Sequence, residues 1–557
     1  MANQISRKGR LAERKSTARG ASAPDSAPSP RERQWLLLGI YLPILLGAAA
    51  RFVVVNDVRF TGEEALFYSE AHKIARGEGL PWYGPRMSGS GYHPGPLFFV
   101  VCAIPLLVGD EPALVHAWLI LLNMAAMLLF ARLVRRLHGV RAAAIVTMML
   151  ASSPWQFVYS IGIWQPHVML PIFVVALWCL DRMKQRPRSW AIALLLPLLA
   201  ASFQIHPSCI MVWLLAGAVI LIQRPAVNWR AAGLGMVLSL GAYAPYLAHE
   251  SKTGFENTRR VATDAAKYAW SLSNPARAFA HHFLMTSSNI NFHIRHGYWE
   301  PVPDTLGSDL RAYWRAQDPA LRGLGWAWPV FAVGNLATAV LAAGVAAVWL
   351  GRLASLVLKR GFREMDALTL AFLACPLILF GVVLFGRKPV YPNYVLFVMV
   401  APFVGYAILD RMMGRAIKPK FNVVVPVLAA VLFLPRLGVA VAYVKEIDSR
   451  RGLAEQKTFA RWVSERGPLK NVVGLEWYNS GVKEPIPVTL ARCRRPELLK
   501  NQAAHKGMFS LAAEPLETED ARRAYLAKRV KGQVQVVDFQ VNARTTFLQW
   551  TSARRNN

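Results

Sequence analysis

Two adjacent carboxylates, Glu63 and Glu64, are the first residues able to do chemistry. They sit in Thr61-Gly62-Glu63-Glu64-Ala65-Leu66-Phe67-Tyr68-Ser69-Glu70-Ala71. Paired carboxylates can act as a general base and its orienting partner. Acidic residues also suit the first turn of a helix, where they face the positive end of its dipole. The spacing of Ala65, Phe67, Tyr68 and Ala71 predicts an amphipathic helix here, so both readings stay open. Further on, Gly91-Tyr92-His93-Pro94-Gly95-Pro96-Leu97 puts an imidazole at a Pro/Gly turn that opens a helix. Phe203-Gln204-Ile205-His206-Pro207 puts an amide and an imidazole between two apolar runs. These side chains can hydrogen-bond a polar ligand, or serve as ordinary residues at a membrane interface. Gly386-Arg387-Lys388-Pro389-Val390-Tyr391-Pro392-Asn393-Tyr394 carries a cationic pair suited to an anion near lipid headgroups, whether a ligand or ordinary lipid phosphate. His281, His282, His293 and His296 match no strong metal-ligand spacing and read as scattered surface histidines. No ligand set demands a divalent metal. The five cysteines form no CxxC pair, and no P-loop or dinucleotide fingerprint occurs.

The elements that must position these residues are membrane spans. Of 557 residues, 54% are hydrophobic, with a mean hydropathy of +0.28. The apolar residues gather into runs near the ~20 residues a helix needs to cross hydrocarbon. Net charge is +31. That excess lies mainly between the runs, which favours basic loops held on the cytoplasmic side over nucleic-acid binding. Residues 1–34 read as a disordered basic tail. Trp35–Val55 reads as the first span; Ala48-Ala49-Ala50 also resembles a signal-peptide cleavage site, but the apolar run continues past it. The short run Gly95–Val108, broken by Pro105, decides the threading. If it crosses, Arg132–Arg141 and every later basic loop fall outside. If it lies flat, every strongly basic short loop falls on one side. The flat arrangement predicts about eleven spans between residues 35 and 444. It places the first loop (56–112) and a long loop (249–325) on the outer face. Residues 445–557 are polar and mixed. Val472–Leu475 and Val534–Val541 read as strands, and Leu453–Arg466 and Thr518–Lys528 as helices, giving a small α/β domain outside. The fold class is therefore an all-α polytopic membrane protein with interfacial helices and a C-terminal α/β extracytoplasmic domain.

The order of these features resembles the GT-C superfamily of glycosyltransferases that use lipid-linked sugars. The similarity is to the protein O-mannosyltransferase and aminoarabinose-transferase branches, and it covers about residues 35–445. The family's first outer loop carries an Asp-Glu pair whose Asp is the candidate base; Glu63 and Glu64 stand at those positions. The mannosyltransferase branch has a His-Pro-Pro-Leu turn, matched by His93-Pro94-Gly95-Pro96-Leu97 with one residue inserted. The resemblance implies a polyprenyl-phosphate sugar as donor and a glycan, lipid or protein hydroxyl as acceptor. Glu63 or Glu64 would serve as base in an inverting transfer. His93, Gln204 and His206 would line the pocket, with Arg387, Lys388 and Tyr391 toward the leaving phosphate. Some relatives use a divalent metal. A bacterial inner membrane, with the N-terminus cytoplasmic, is the expected setting. A transporter of lipid-linked sugars is the competing class. It predicts repeats and charged, broken helices at mid-membrane, and the spans show no repeat and few charges. A scaffold without catalysis is the third reading.

Overall fold

A computed structural model describes residues 28–85, 92–264, 272–286, 327–359, 362–386, 400–416, 423–446, 449, 452–466, 486, 508–512, 515–527, 534–542 and 545–552. It is a bundle of long helices with a small sheet near the C-terminus. Every span expected from the sequence carries a helix over its described residues. Among the described residues, seven helices are long and apolar enough to cross a membrane: α1 (Pro30–Val53), α4 (Pro112–His138), α7 (Gln165–Gln185), α10 (Trp229–Lys252), α13 (Ala327–Lys359), α14 (Ala367–Gly386) and α16 (Val424–Glu446). Shorter ones complete the bundle: α5 (Val140–Ala151), α8 (Ala191–Ile205), α9 (Pro207–Gln223) and α15 (Ala401–Ala416).

α1 starts within the segment expected to be disordered. Ser29 and Glu32 form a capping box, Ser29 N–H donating to Glu32 Oε2 at 3.0 Å and Glu32 N–H to Ser29 Oγ at 3.3 Å, with Pro30 in the first turn. A composition-based reading misses such a local cap.

Two helices of the first loop lie beside the bundle, α2 (Gly62–Ala75) and α3 (Leu97–Leu106). α3 has 10 residues, about 15 Å at 1.5 Å each, against about 30 Å of hydrocarbon. Both of its ends stay with the same loop. Pro94, before it, accepts from the Gly84 N–H at 2.6 Å. Asp110, after it, meets His72 at 3.2 Å and binds the Tyr68 hydroxyl and Arg76 of α2. Phe67 packs between Phe98 and Phe99, at centroid distances of 5.1 and 6.0 Å.

The basic loops converge at the opposite end. Arg136 pairs with Asp181, Arg141 with Asp410 at 2.6 Å, and His138 with Asp366 at 3.5 Å. Lys184 binds the Met365 carbonyl, and Arg411 reaches His138 at 3.3 Å. The loops expected to share one side are in mutual contact.

At the C-terminal end, β1 (Met508–Ala512), β2 (Val534–Val541) and β3 (Thr546–Ser552) form an antiparallel sheet in the order β1-β3-β2. α18 (Glu519–Ala527) supplies Tyr525 and Leu526 to its core. α17 (Leu453–Arg466) packs Phe459 and Trp462 on Phe547, at 5.2 and 5.6 Å. The strand expected at Val472–Leu475 lies outside the described residues.

Candidate active site at the acidic loop

The sequence preceding α2 sets the two carboxylates to different tasks. Thr61 is extended and caps the helix, and Glu64 is its third residue. Glu64 is buried, accepting from the Thr61 N–H at 2.9 Å and from the Thr61 hydroxyl, with Arg59 at 3.7 Å. It completes a capping box, the plain helix-start reading of the pair. Glu63, one residue earlier, takes no part in that box. Partial burial, then the neighbouring Glu64 charge, push its carboxyl up to about 7, and Arg59 only partly offsets them. A carboxyl with that value changes protonation near neutrality, which suits a general base.

His93 is fixed by its turn. Its N–H donates to Asn257 Oδ1 at 2.7 Å, its carbonyl accepts from Asn257 Nδ2 at 2.6 Å, and its Nδ1 meets the Gly84 carbonyl at 3.0 Å. Tyr83 lies between the His93 and His249 rings, at 4.6 and 4.8 Å. Gly95 brings the turn onto Gln204, where an added Cβ would sit 2.2 Å from Oε1. Gln204 Nε2 donates to the Ala242 carbonyl at 2.8 Å, tying α8 to α10. His206 is buried, and its Nδ1 accepts from the Ser208 N–H at 3.2 Å. The structure thus joins the turn at His93 to Gln204, while His206 caps the following helix. Arg387, Lys388 and Tyr391 lie outside the described residues, as do His293 and His296.

His281 and His282 are buried, contrary to the surface placement expected from the sequence; His282 is fully enclosed. Their helix, α12 (Ser273–Leu284), packs against the bundle, with Phe279 and Phe283 at 5.2 and 6.0 Å from Trp349. Among the described residues, no three His, Cys, Asp or Glu side chains gather where they could hold a metal ion.

Sequence reasoning passed over the polar residues inside the spans. Arg51 of α1 is enclosed, its Nε donating to Ser160 Oγ at 2.7 Å and Nη1 to the Gly47 carbonyl at 2.9 Å. Arg436 of α16 donates to Ser152 Oγ at 3.1 Å and to the carbonyls of Thr286 and Met149 at 2.9 and 3.0 Å. The spans therefore carry more buried charge than the sequence reading allowed, held by helix-end carbonyls. On α4, His116 and Asn123 are two turns apart on one buried face. That spacing was visible in the sequence. Asn123 Nδ2 donates to the His167 carbonyl at 2.8 Å, and Gln156 Nε2 to Asn123 Oδ1 at 3.3 Å.

Comparison with known proteins comes at the level of shape. No family model matches the chain, and no curated protein sequence does. Among solved structures it is similar to ArnT from Cupriavidus metallidurans bound to undecaprenyl phosphate. That match has 13% identity over 91% of this chain and 97% of that one, with a TM-score of 0.48. It is also similar to the Archaeoglobus fulgidus oligosaccharyltransferase in complex with zinc and sulfate, at 14% identity over 88% of this chain and 70% of that one, TM-score 0.46. The arabinosyltransferase EmbB from Mycobacterium smegmatis matches at 13% identity over 79% of this chain and 44% of that one, TM-score 0.33.

Proposed function

We propose that this chain is an integral membrane glycosyltransferase. It moves a sugar from a polyprenyl phosphate to an acceptor hydroxyl on the face that carries α2, with Glu63 as base. The observation that supports this most is the division of labour in the acidic pair: Glu64 is committed to the helix cap, while Glu63 is left with a carboxyl near 7. Glu63 takes the acceptor's proton. The acceptor oxygen forms the new bond to the anomeric carbon as the bond to the phosphate oxygen breaks on the opposite side, inverting that carbon. The bond's electrons leave with the lipid phosphate, so no nucleotide is needed. Arg387, Lys388 and Tyr391 are proposed to stabilise the leaving phosphate. The turn at His93, with Gln204 and His206, shapes the wall of the site. The face bearing Glu63 is the periplasmic or outer one under the positive-inside rule, in a bacterial inner membrane.

The test is release and transfer of radiolabelled sugar from polyprenyl-phosphate donors by the protein in lipid nanodiscs. Glu63→Gln should lose about 10²- to 10⁴-fold in rate, whereas Glu64→Gln should retain most of the activity. An undiminished Glu63→Gln variant would overturn the base assignment. Donor that binds but stays intact with every acceptor class would point to a transporter instead.

A further inference from the structure

The tripeptide Gln-Arg-Pro occurs twice, as Gln185-Arg186-Pro187 and Gln223-Arg224-Pro225. Each copy ends a helix, and a tryptophan opens the helix that follows. α7 stops at Gln185 and Trp190 precedes α8; α9 stops at Gln223 and Trp229 is the first residue of α10. Proline lacks the N–H that would continue a helix and turns the residue before it out of the right-handed helical region. Arg186 is accordingly extended, and Arg224 is left-handed at φ 47°.

The two turns are joined. Arg188 N–H donates to the Ala226 carbonyl at 3.1 Å, and Asn228 Nδ2 donates to the Arg188 carbonyl at 3.0 Å. Asn228 Oδ1 also caps α10, accepting from the Ala231 N–H at 3.2 Å. Arg188 holds a left-handed backbone in this link, at φ 57°. That region is uncommon for a residue other than glycine and carries a cost. The turns thus present one surface in a fixed register.

That surface is cationic and lacks internal neutralisation. Arg186, Arg188, Arg224 and Arg230 are exposed. None of their guanidinium groups has a carboxylate partner among the described residues. The chain has no acidic residue between Asp181 and Glu250. Asp181 itself is committed: it is buried, paired with Arg136 and bonded by Gln185 Nε2 at 3.1 Å. Trp190 and Trp229 accompany the arginines, 61% and 80% exposed. Their depth follows from α10, which is long and apolar enough to cross a membrane and turns Val237 and Leu240 outward. Its first residue then lies at the level of the lipid headgroups. Indole rings favour that level, and guanidinium groups there meet phosphates, which they bind in bidentate fashion.

We infer that the joined turns are a binding site for the headgroup of an anionic phospholipid, with the four arginines on its phosphate oxygens and the two indoles against its glycerol and upper acyl region. A soluble anion or an acidic protein uses the charge but not two indoles at headgroup depth; a phosphate carried on acyl chains uses both. The site shares the end of the bundle where Arg136 pairs with Asp181, and it stands independently of the transferase reading.

The test is native mass spectrometry of the full chain in detergent, titrated with cardiolipin, with phosphatidylcholine, which has no net charge, and with inorganic phosphate. Wild type should retain cardiolipin under conditions that strip phosphatidylcholine. Each arginine removed should weaken that binding about fivefold, so Arg186→Gln/Arg188→Gln should lose about 25-fold. Arg132→Gln/Arg135→Gln removes equal charge from exposed residues of α4, outside the joined turns, and should bind as wild type does. An unchanged melting temperature verifies that a variant is folded, and Arg224→Gln/Arg230→Gln carries the comparison if the first pair is not. The inference is overturned if cardiolipin and phosphatidylcholine bind alike, or if the Arg132/Arg135 variant loses as much as the Arg186/Arg188 variant, since charge alone is then at work. Displacement of cardiolipin by inorganic phosphate at equal concentration would overturn it as well, making the ligand a soluble anion.

Discussion

At the residue scale, the protein makes two neighbouring carboxylates unlike by giving one of them hydrogen bonds and leaving the other to burial. Glu63 carries the consequence in its titration. Its folded carboxyl is raised from 4.5 to about 7, so the protonated form is favoured on folding. The stability this lends is fully present below about pH 4.5 and is lost as pH rises through 7. Thermal melts of Glu63→Gln should therefore gain on wild type between pH 4.5 and 7 and hold a constant lead above it. A lead independent of pH would contradict the raised value. On the proposed assignment of Glu63 as base, kcat/KM of the wild type should climb through about pH 7 as that carboxyl loses its proton. Glu64→Ala, which removes the acceptor for the Thr61 N–H, should cost about 1 kcal/mol, the usual size of a lost cap, read as a lower melting temperature. The pair itself was legible in the sequence, because two acids after Thr-Gly are conspicuous. Which acid does what was not legible: burial and the position of Arg59 come from residues folded around the loop. The buried histidines were also missed at this scale, since a lone His in an apolar run has the same signature whether or not its far nitrogen is satisfied.

At the scale of elements, hydropathy reports helices well and their ends poorly. The long apolar helices followed from run length, and Leu453–Arg466 appeared with those same bounds. The start of α1 depended on a four-residue cap that composition cannot register. The guanidinium groups of Arg51 and Arg436 were discounted as sparse charge. Both attend the C-terminal end of α5: Arg436 binds Met149 and Ser152, and Arg51 approaches the Ala151 carbonyl at 3.4 Å. A cation at a helix C-terminus meets its negative pole and its unpaired carbonyls. The break between α5 and α6 (Pro154–Val158) is thus held by charge from the first and last spans. Arg436→Met should destabilise the protein by about 3 kcal/mol, because buried carbonyls lose their donors. Solubilised variant and wild type compared by thermal unfolding would show it, and an unchanged melt would mean that water replaces the guanidinium.

At the scale of the molecule, the first loop and the start of α17 are in direct contact. Arg59 and Gly452 make an antiparallel bridge, Leu453 N–H donates to the Val58 carbonyl at 2.9 Å, and Ala454 N–H to the Asn56 carbonyl at 2.8 Å. Lys457 reaches Glu111 at 3.0 Å. Gly452 permits this closeness, since an added Cβ would lie 2.7 Å from the Asp57 carbonyl oxygen. Gly452→Val should force the two segments apart, cost about 1–3 kcal/mol and expose residues 56–60 to protease. Equal protection in the variant would show that α17 does not brace the loop. No local sequence pattern announces a contact between positions this far apart. The same contact sets a timetable for synthesis. Roughly 400 residues separate the two partners, and at about 5–20 residues per second a ribosome needs some 20–80 s to make them. Throughout that interval Asn56–Arg59 lacks its partner segment, so a nascent or prematurely terminated chain holds its acidic loop unbraced. Completion of the last span is then what matures the first loop, and a chain stopped at residue 446 should insert normally yet leave that loop open to digestion.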